Sequence, residues 1–178
     1  MNVLTPLPQS KWNDATAAHL LNRAGFGGTP VEIERTRQKG LTAAVRDLVD
    51  VKSEAANVPP PAWAHPRNIR DQRMEIKAAK DRGEDFQQKV REIRMMEGDE
   101  IVDLRHWWLD QMLNGPAPLL EKITLFWHGH FATSIQKVRD AYWMWLQNDT
   151  IRRNAFGNFG ALVKKISRDP AMMIYLDL

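Results

Sequence analysis

Gly25-Phe26-Gly27-Gly28-Thr29-Pro30-Val31-Glu32 reads as a flexible turn followed by a helix start. The Thr29 hydroxyl can cap, Pro30 fits the first helical position, where no amide hydrogen is needed, and Glu32 can reach back to complete a capping box. Upstream, Trp12, Leu20 and Leu21 belong to a helix over about 13–24, with Gly25 where a helix commonly ends. Downstream, Gly40 ends the second helix. A third follows over 41–51, with Leu41, Val45, Leu48 and Val49 on one face.

The rest of the chain continues in the same manner. Residues 58–66 hold four of the ten prolines, around Trp63 and His65, and predict a Pro-rich linker over 52–66. Residues 67–97 are dense in Lys, Arg, Glu and Asp with sparse apolar positions, which predicts a charged helical arm or hairpin broken at Gly83. A more apolar helix over 100–113 stops at Asn114-Gly115-Pro116. Helices over 118–131 and 138–156 follow, the second rich in aromatics. Asn158 and Asp169 read as caps of two short helices, the latter with Pro170 in its first turn. No alternating strand pattern and no fixed-period repeat appears. The expected fold is all-α, an irregular multi-helix orthogonal bundle carrying a charged arm.

Composition narrows the function classes. The chain has 178 residues, 43% apolar and 26% charged, which excludes wholesale disorder and a membrane bundle. Lys and Arg number 25 against 22 Asp and Glu, and a net charge of +3 does not argue for a nucleic-acid partner. With no Cys there is neither a disulfide framework nor a thiolate metal site. The N-terminus lacks a basic region, Pro6 and Pro8 interrupt it, and no apolar run approaches the roughly 20 residues of a membrane span. As written, the chain is expected in the cytoplasm. Ala171-Met172-Met173-Ile174-Tyr175-Leu176 is an apolar run followed by almost nothing. Such a run packs against something, so residues 1–178 are expected to be the N-terminal part of a larger all-helical domain. Its partner would be another protein or the missing C-terminal half.

Phe126-Trp127-His128-Gly129-His130-Phe131 is the sharpest chemical feature. Neutral imidazoles ligate Zn, Fe and Cu, so His128 and His130 are candidate ligands for a metal ion or haem, with His19 as a third. On a continuous helix, residues two apart point about 200° apart, so convergence requires a break at Gly129. The alternative is one packed His and one at the surface. Asp103, His106 and Asp110 share a helix face and read mainly as a surface cluster. Ser134 or Thr133 beside the histidines lacks an orienting acid and an oxyanion hole. Gly25-x-Gly27-Gly28 follows a helix, not a strand, and lacks the Lys of a phosphate loop. Five of the seven Trp lie between Trp107 and Trp145 on several helix faces, which favours core packing over a sugar- or peptide-binding surface. Arg152-Arg153 and Lys164-Lys165 fall near helix C-termini, where positive charge is favoured.

Three blocks resemble a large bacterial family, domain-of-unknown-function family 1800. His19-Leu20-Leu21-Asn22-Arg23-Ala24-Gly25-Phe26-Gly27-Gly28-Thr29-Pro30 is similar to its opening motif. Glu121-Lys122-Ile123-Thr124-Leu125-Phe126-Trp127-His128-Gly129-His130-Phe131-Ala132-Thr133-Ser134 is similar to its central signature. Asn158-Phe159 and Ile166-Ser167-Arg168-Asp169-Pro170-Ala171-Met172, through Tyr175-Leu176-Asp177, resemble a third block. The resemblance implies a longer helical protein and no established activity. It also implies an envelope-related or periplasmic setting, because family members are encoded beside proteins that carry twin-arginine export signals. The leading expectation is a helical structural or interaction module. The alternative is a metal- or haem-dependent enzyme using His128 and His130, with His19 or Glu121 assisting.

Overall fold

The computed structural model describes residues 5–51, 57–66, 69–83 and 85–178, and these contain helices and no strand. After a 3-10 turn at Gln9–Lys11 come α1 (Asp14–Ala24), α2 (Pro30–Lys39), α3 (Leu41–Val49), α4 (Ile69–Asp81) and α5 (Phe86–Asn114). They are followed by α6 (Pro118–His130), α7 (Ile135–Val138), α8 (Ala141–Asn154), α9 (Phe159–Ile166) and α10 (Pro170–Leu176). The all-α expectation holds.

The caps at Thr29, Asn158 and Asp169 are those the sequence proposes. The Thr29 hydroxyl accepts from the Glu32 amide at 3.3 Å, and the Glu32 carboxylate accepts from the Thr29 amide at 2.7 Å. That backbone hydrogen bond, then the one from the Thr29 hydroxyl, holds the Glu32 carboxyl below its ordinary pKa. Asn13 closes α1 with a second reciprocal box, exchanging hydrogen bonds with Thr16. Asn158 accepts from the Ala161 amide and Asp169 from the Met172 amide.

Gly25 is needed for a different reason from the one its position suggests. Its φ of −147° is open to any residue. A Cβ there would instead lie 3.2 Å from Cβ of Pro118, so the glycine lets the end of α1 approach the start of α6. On α3 the inward face is Leu41, Ala44 and Leu48, while Val45 and Val49 are exposed.

Two other boundaries shift. The helix expected over 100–113 is continuous with the second limb of the hairpin as the 29-residue α5. One Gly inside a helix costs only about 1 kcal/mol relative to Ala, and Gly98 does not interrupt it. The hairpin does turn at Gly83, with φ of +75°. The helix expected over 138–156 begins instead at Ala141, because Arg139 takes a left-handed φ of 56° and Asp140 caps α8 through the Trp143 amide. The apolar C-terminal run also has a cap. Asp177 takes φ of 60°, its amide donates to the Ile174 carbonyl, and the Leu178 amide donates to that of Met173. Lys137 binds the Asp177 carboxylate at 2.6 Å.

Of the linker expected over 52–66, residues 52–56 lie outside the described ones. Residues 57–66 carry neither helix nor strand, and the Trp107 indole donates to the Pro59 carbonyl at 3.3 Å. At the centre, α8 contacts α5, α6, α7, α9 and α10, while α6 also meets α1, α3 and α5. Ala117, Leu120 and Ala155 form one apolar cluster, and Ile151, Leu162 and Ile166 another. Trp127 packs against both, and its indole donates to the Ala155 carbonyl at 3.0 Å.

Candidate functional site

A polar seam runs through the packing of α5, α6 and α8. Thr124 turns its hydroxyl back to the Leu120 carbonyl at 2.8 Å, so it requires no outside partner. One turn earlier on α6, the Glu121 carboxylate meets the Arg152 guanidinium of α8 at 2.6 Å, both residues being almost wholly buried. Two buried charges cost several kcal/mol each to desolvate, and only close pairing with further hydrogen bonds offsets this. The further bond comes from α5, where the Trp108 indole donates to the other Glu121 oxygen at 3.0 Å. The same indole lies 4.8 Å from the His128 ring. Nε2 of His128 is 3.2 Å from the Asn148 side-chain nitrogen on α8. Glu121, two helical turns before His128 on one face of α6, is thus linked to it through one tryptophan.

His128 is a neutral imidazole. Burial pushes its pKa down to about 4 from 6.5. Neutrality suits the hydrogen bond: with the Asn148 amide donating, Nε2 accepts and the ring proton sits on Nδ1. His128 and Asn148 border a cavity of about 260 Å3, whose other walls include Leu104, Trp108, Ile135 and Met144. Thr133 also borders it, its hydroxyl donating to the Phe131 carbonyl at 3.1 Å.

His130 faces elsewhere. It is exposed and meets the edges of Phe131 and Trp127 at 4.8 and 5.7 Å, with Phe159 beyond. The helix runs unbroken through Gly129, so the two imidazoles keep their opposite directions. His19 is exposed on α1, whose C-terminal end meets α6 at Pro118, about 15 Å of helix from His128. Among the described residues, no three His, Cys, Asp or Glu side chains come together to hold a metal ion.

Asp103, His106 and Asp110 are all exposed. Ser134 serves as the N-cap of α7. The glycine turn borders a cavity of about 640 Å3, but Thr29 and Glu32 in its wall are engaged in their capping box. Each of the seven tryptophans is at least partly buried, in keeping with core packing. Arg153 pairs with Asp149 at 2.7 Å, and Lys165 donates to the Asn154 side chain. Residue counting missed the role of Arg152: it resembles any cation near a helix end until α6 is placed against α8. Asn148 was missed too, since a lone Asn inside a helical pattern carries no signal.

Fold and seam define an all-helical protein with a charged pair and a neutral imidazole inside its core. The chain belongs to the family described as protein of unknown function (DUF1800), whose sequence model matches residues 19–178. No curated protein and no solved structure gives a match. Among the described residues, no helix is long and apolar enough to cross a membrane.

Proposed function

We propose that this chain is a helical interaction module that covers its apolar surface with another helical unit, from a partner protein or from further polypeptide of the same family. One observation carries the reading. The chain exposes 12106 Å2, whereas a compact monomer of 20.5 kDa exposes about 8,900 Å2. Large apolar side chains are among what is exposed: Phe126, Phe156, Phe159, Ile174 and Leu176 are each at least 40% exposed. Exposed apolar surface on this scale is what association sites provide. An envelope-related role rests on the family resemblance alone. The described geometry gives no support to a metal or haem held jointly by His128 and His130.

The test replaces two exposed residues on α10, Ile174→Glu with Leu176→Glu. The unaltered chain is expected to self-associate in sedimentation and to bind the apolar dye ANS at neutral pH. The double variant should lose both properties while keeping its helical circular dichroism and thermal midpoint. A monomer that leaves the dye unbound, or association unchanged in a folded variant, would overturn the proposal.

A further inference from the structure

The cavity beside His128 sets polar groups in an apolar wall and asks for a different occupant from the proposed docking surface. Its wall combines four apolar side chains with one imidazole, one carboxamide and the Thr133 hydroxyl, which donates to the Phe131 carbonyl, and contains no formal charge at neutral pH. Asn148 is 3% exposed, and its side-chain nitrogen is taken up by His128, while its buried oxygen Oδ1 has no hydrogen-bond partner among the described residues. A buried acceptor left unmatched is unfavourable, and in native proteins such an atom usually marks an ordered water or a ligand. The torsion that turns a carboxamide is soft, so a small rotation presents that oxygen to the cavity without moving α8. A cavity of about 150 Å3 lined by Leu, Ile and Phe holds benzene; at about 260 Å3 this one has room for a substituted ring.

We infer that the cavity between α5, α6 and α8 is a binding site for a small uncharged molecule with a flat apolar body and a single hydroxyl or N–H group. The apolar body lies against Trp108, Leu104, Ile135 and Met144. The donor hydrogen goes to Oδ1 of Asn148, which in turn keeps its nitrogen on His128. An anion is disfavoured because the near edge of the wall offers no cation, Arg152 being committed to Glu121. A cation is disfavoured because the imidazole and amide supply no negative charge.

The experiment uses the unaltered chain and three probes of similar shape, phenol, toluene and benzoate, at pH 7.5. Binding is followed by calorimetry and by the 15N shifts of the His128 ring. Phenol is expected to bind about tenfold more tightly than toluene, to shift the ring nitrogens, and to outcompete benzoate altogether. Ile135→Trp, which fills the cavity from α7, should abolish phenol binding, and Asn148→Leu should erase the preference for phenol over toluene. Equal binding of phenol and toluene would show a merely apolar void. Preferred binding of benzoate, or no binding of any probe, would equally overturn the assignment. Because the phenol-to-toluene ratio is measured on the unaltered protein, failure of a variant to fold leaves the test intact.

Discussion

Arg152 and Glu121, thirty-one positions apart in sequence, form an ion pair at 2.6 Å with side chains 2% and 1% exposed. The pair fixes α8 against α6 at the level where α5 delivers Trp108. Removing one partner strands the other charge, so Glu121→Ala or Arg152→Ala should each cost about 3–5 kcal/mol. The joint change Glu121→Ala with Arg152→Ala should cost far less than the sum of the two. Urea unfolding of the four proteins gives the coupling directly; additive losses would mean the pair is not a unit.

His128 sets an acid limb on stability. Its folded pKa lies near 4 and its ordinary value is 6.5, so between these values the unfolded chain binds more protons than the folded one. Stability from this group is therefore complete above pH 6.5 and falls as the pH drops toward 4, by up to about 1.4 kcal/mol per pH unit. His128→Phe should flatten that limb, whatever its effect at pH 7.5. Free energies of unfolding across pH 4–7 check it.

Asp169 acts with the opposite sign. Burial raises its carboxyl pKa above 3.8, against the lowering effect of hydrogen bonds from the Met172 amide, the Gln147 side chain and the Ala171 amide. A raised folded pKa returns stability as the pH falls through it, which partly offsets the loss at His128. Asp169→Asn keeps a good N-cap and removes the proton. The variant should therefore lose stability more steeply on acidification than the unaltered chain, measured in the same titration.

How much of this was legible beforehand depends on how local the cause is. Thr29 and Glu32 are three apart and interact through one turn of backbone, so their capping box can be read from the letters. The same holds for Asn158, Asp169 and the turn at Gly83. Arg139 in the left-handed region was not legible, because no residue type announces it there. The Glu121–Arg152 pair depends on how α6 lies against α8, and Asn148 gains meaning only through His128 on another helix. The histidine pair was visible as a pattern, yet the unbroken helix through Gly129 decides that its members part.

Two glycines separate space from conformation. Gly27 in the turn takes φ of +106°, where a side chain is strained whatever the space, so Gly27→Ala should destabilise by about 1–2 kcal/mol. Gly129 has nothing within 4 Å of a built Cβ and sits inside α6, so Gly129→Ala should stabilise by about 0.5–1 kcal/mol. Thermal midpoints moving the same way in both variants would contradict this account of the turn and of the helix.

The single helix from Phe86 to Asn114 has a mechanical consequence. Twenty-nine residues make a rod of about 43 Å. One end carries Trp108 between the buried carboxylate and the imidazole, and the other ends in the charged hairpin with α4. Rotating such a rod by about 10° about its core end sweeps its tip through roughly 7 Å. One continuous helix therefore connects the charged hairpin to the end that sets Trp108 between Glu121 and His128.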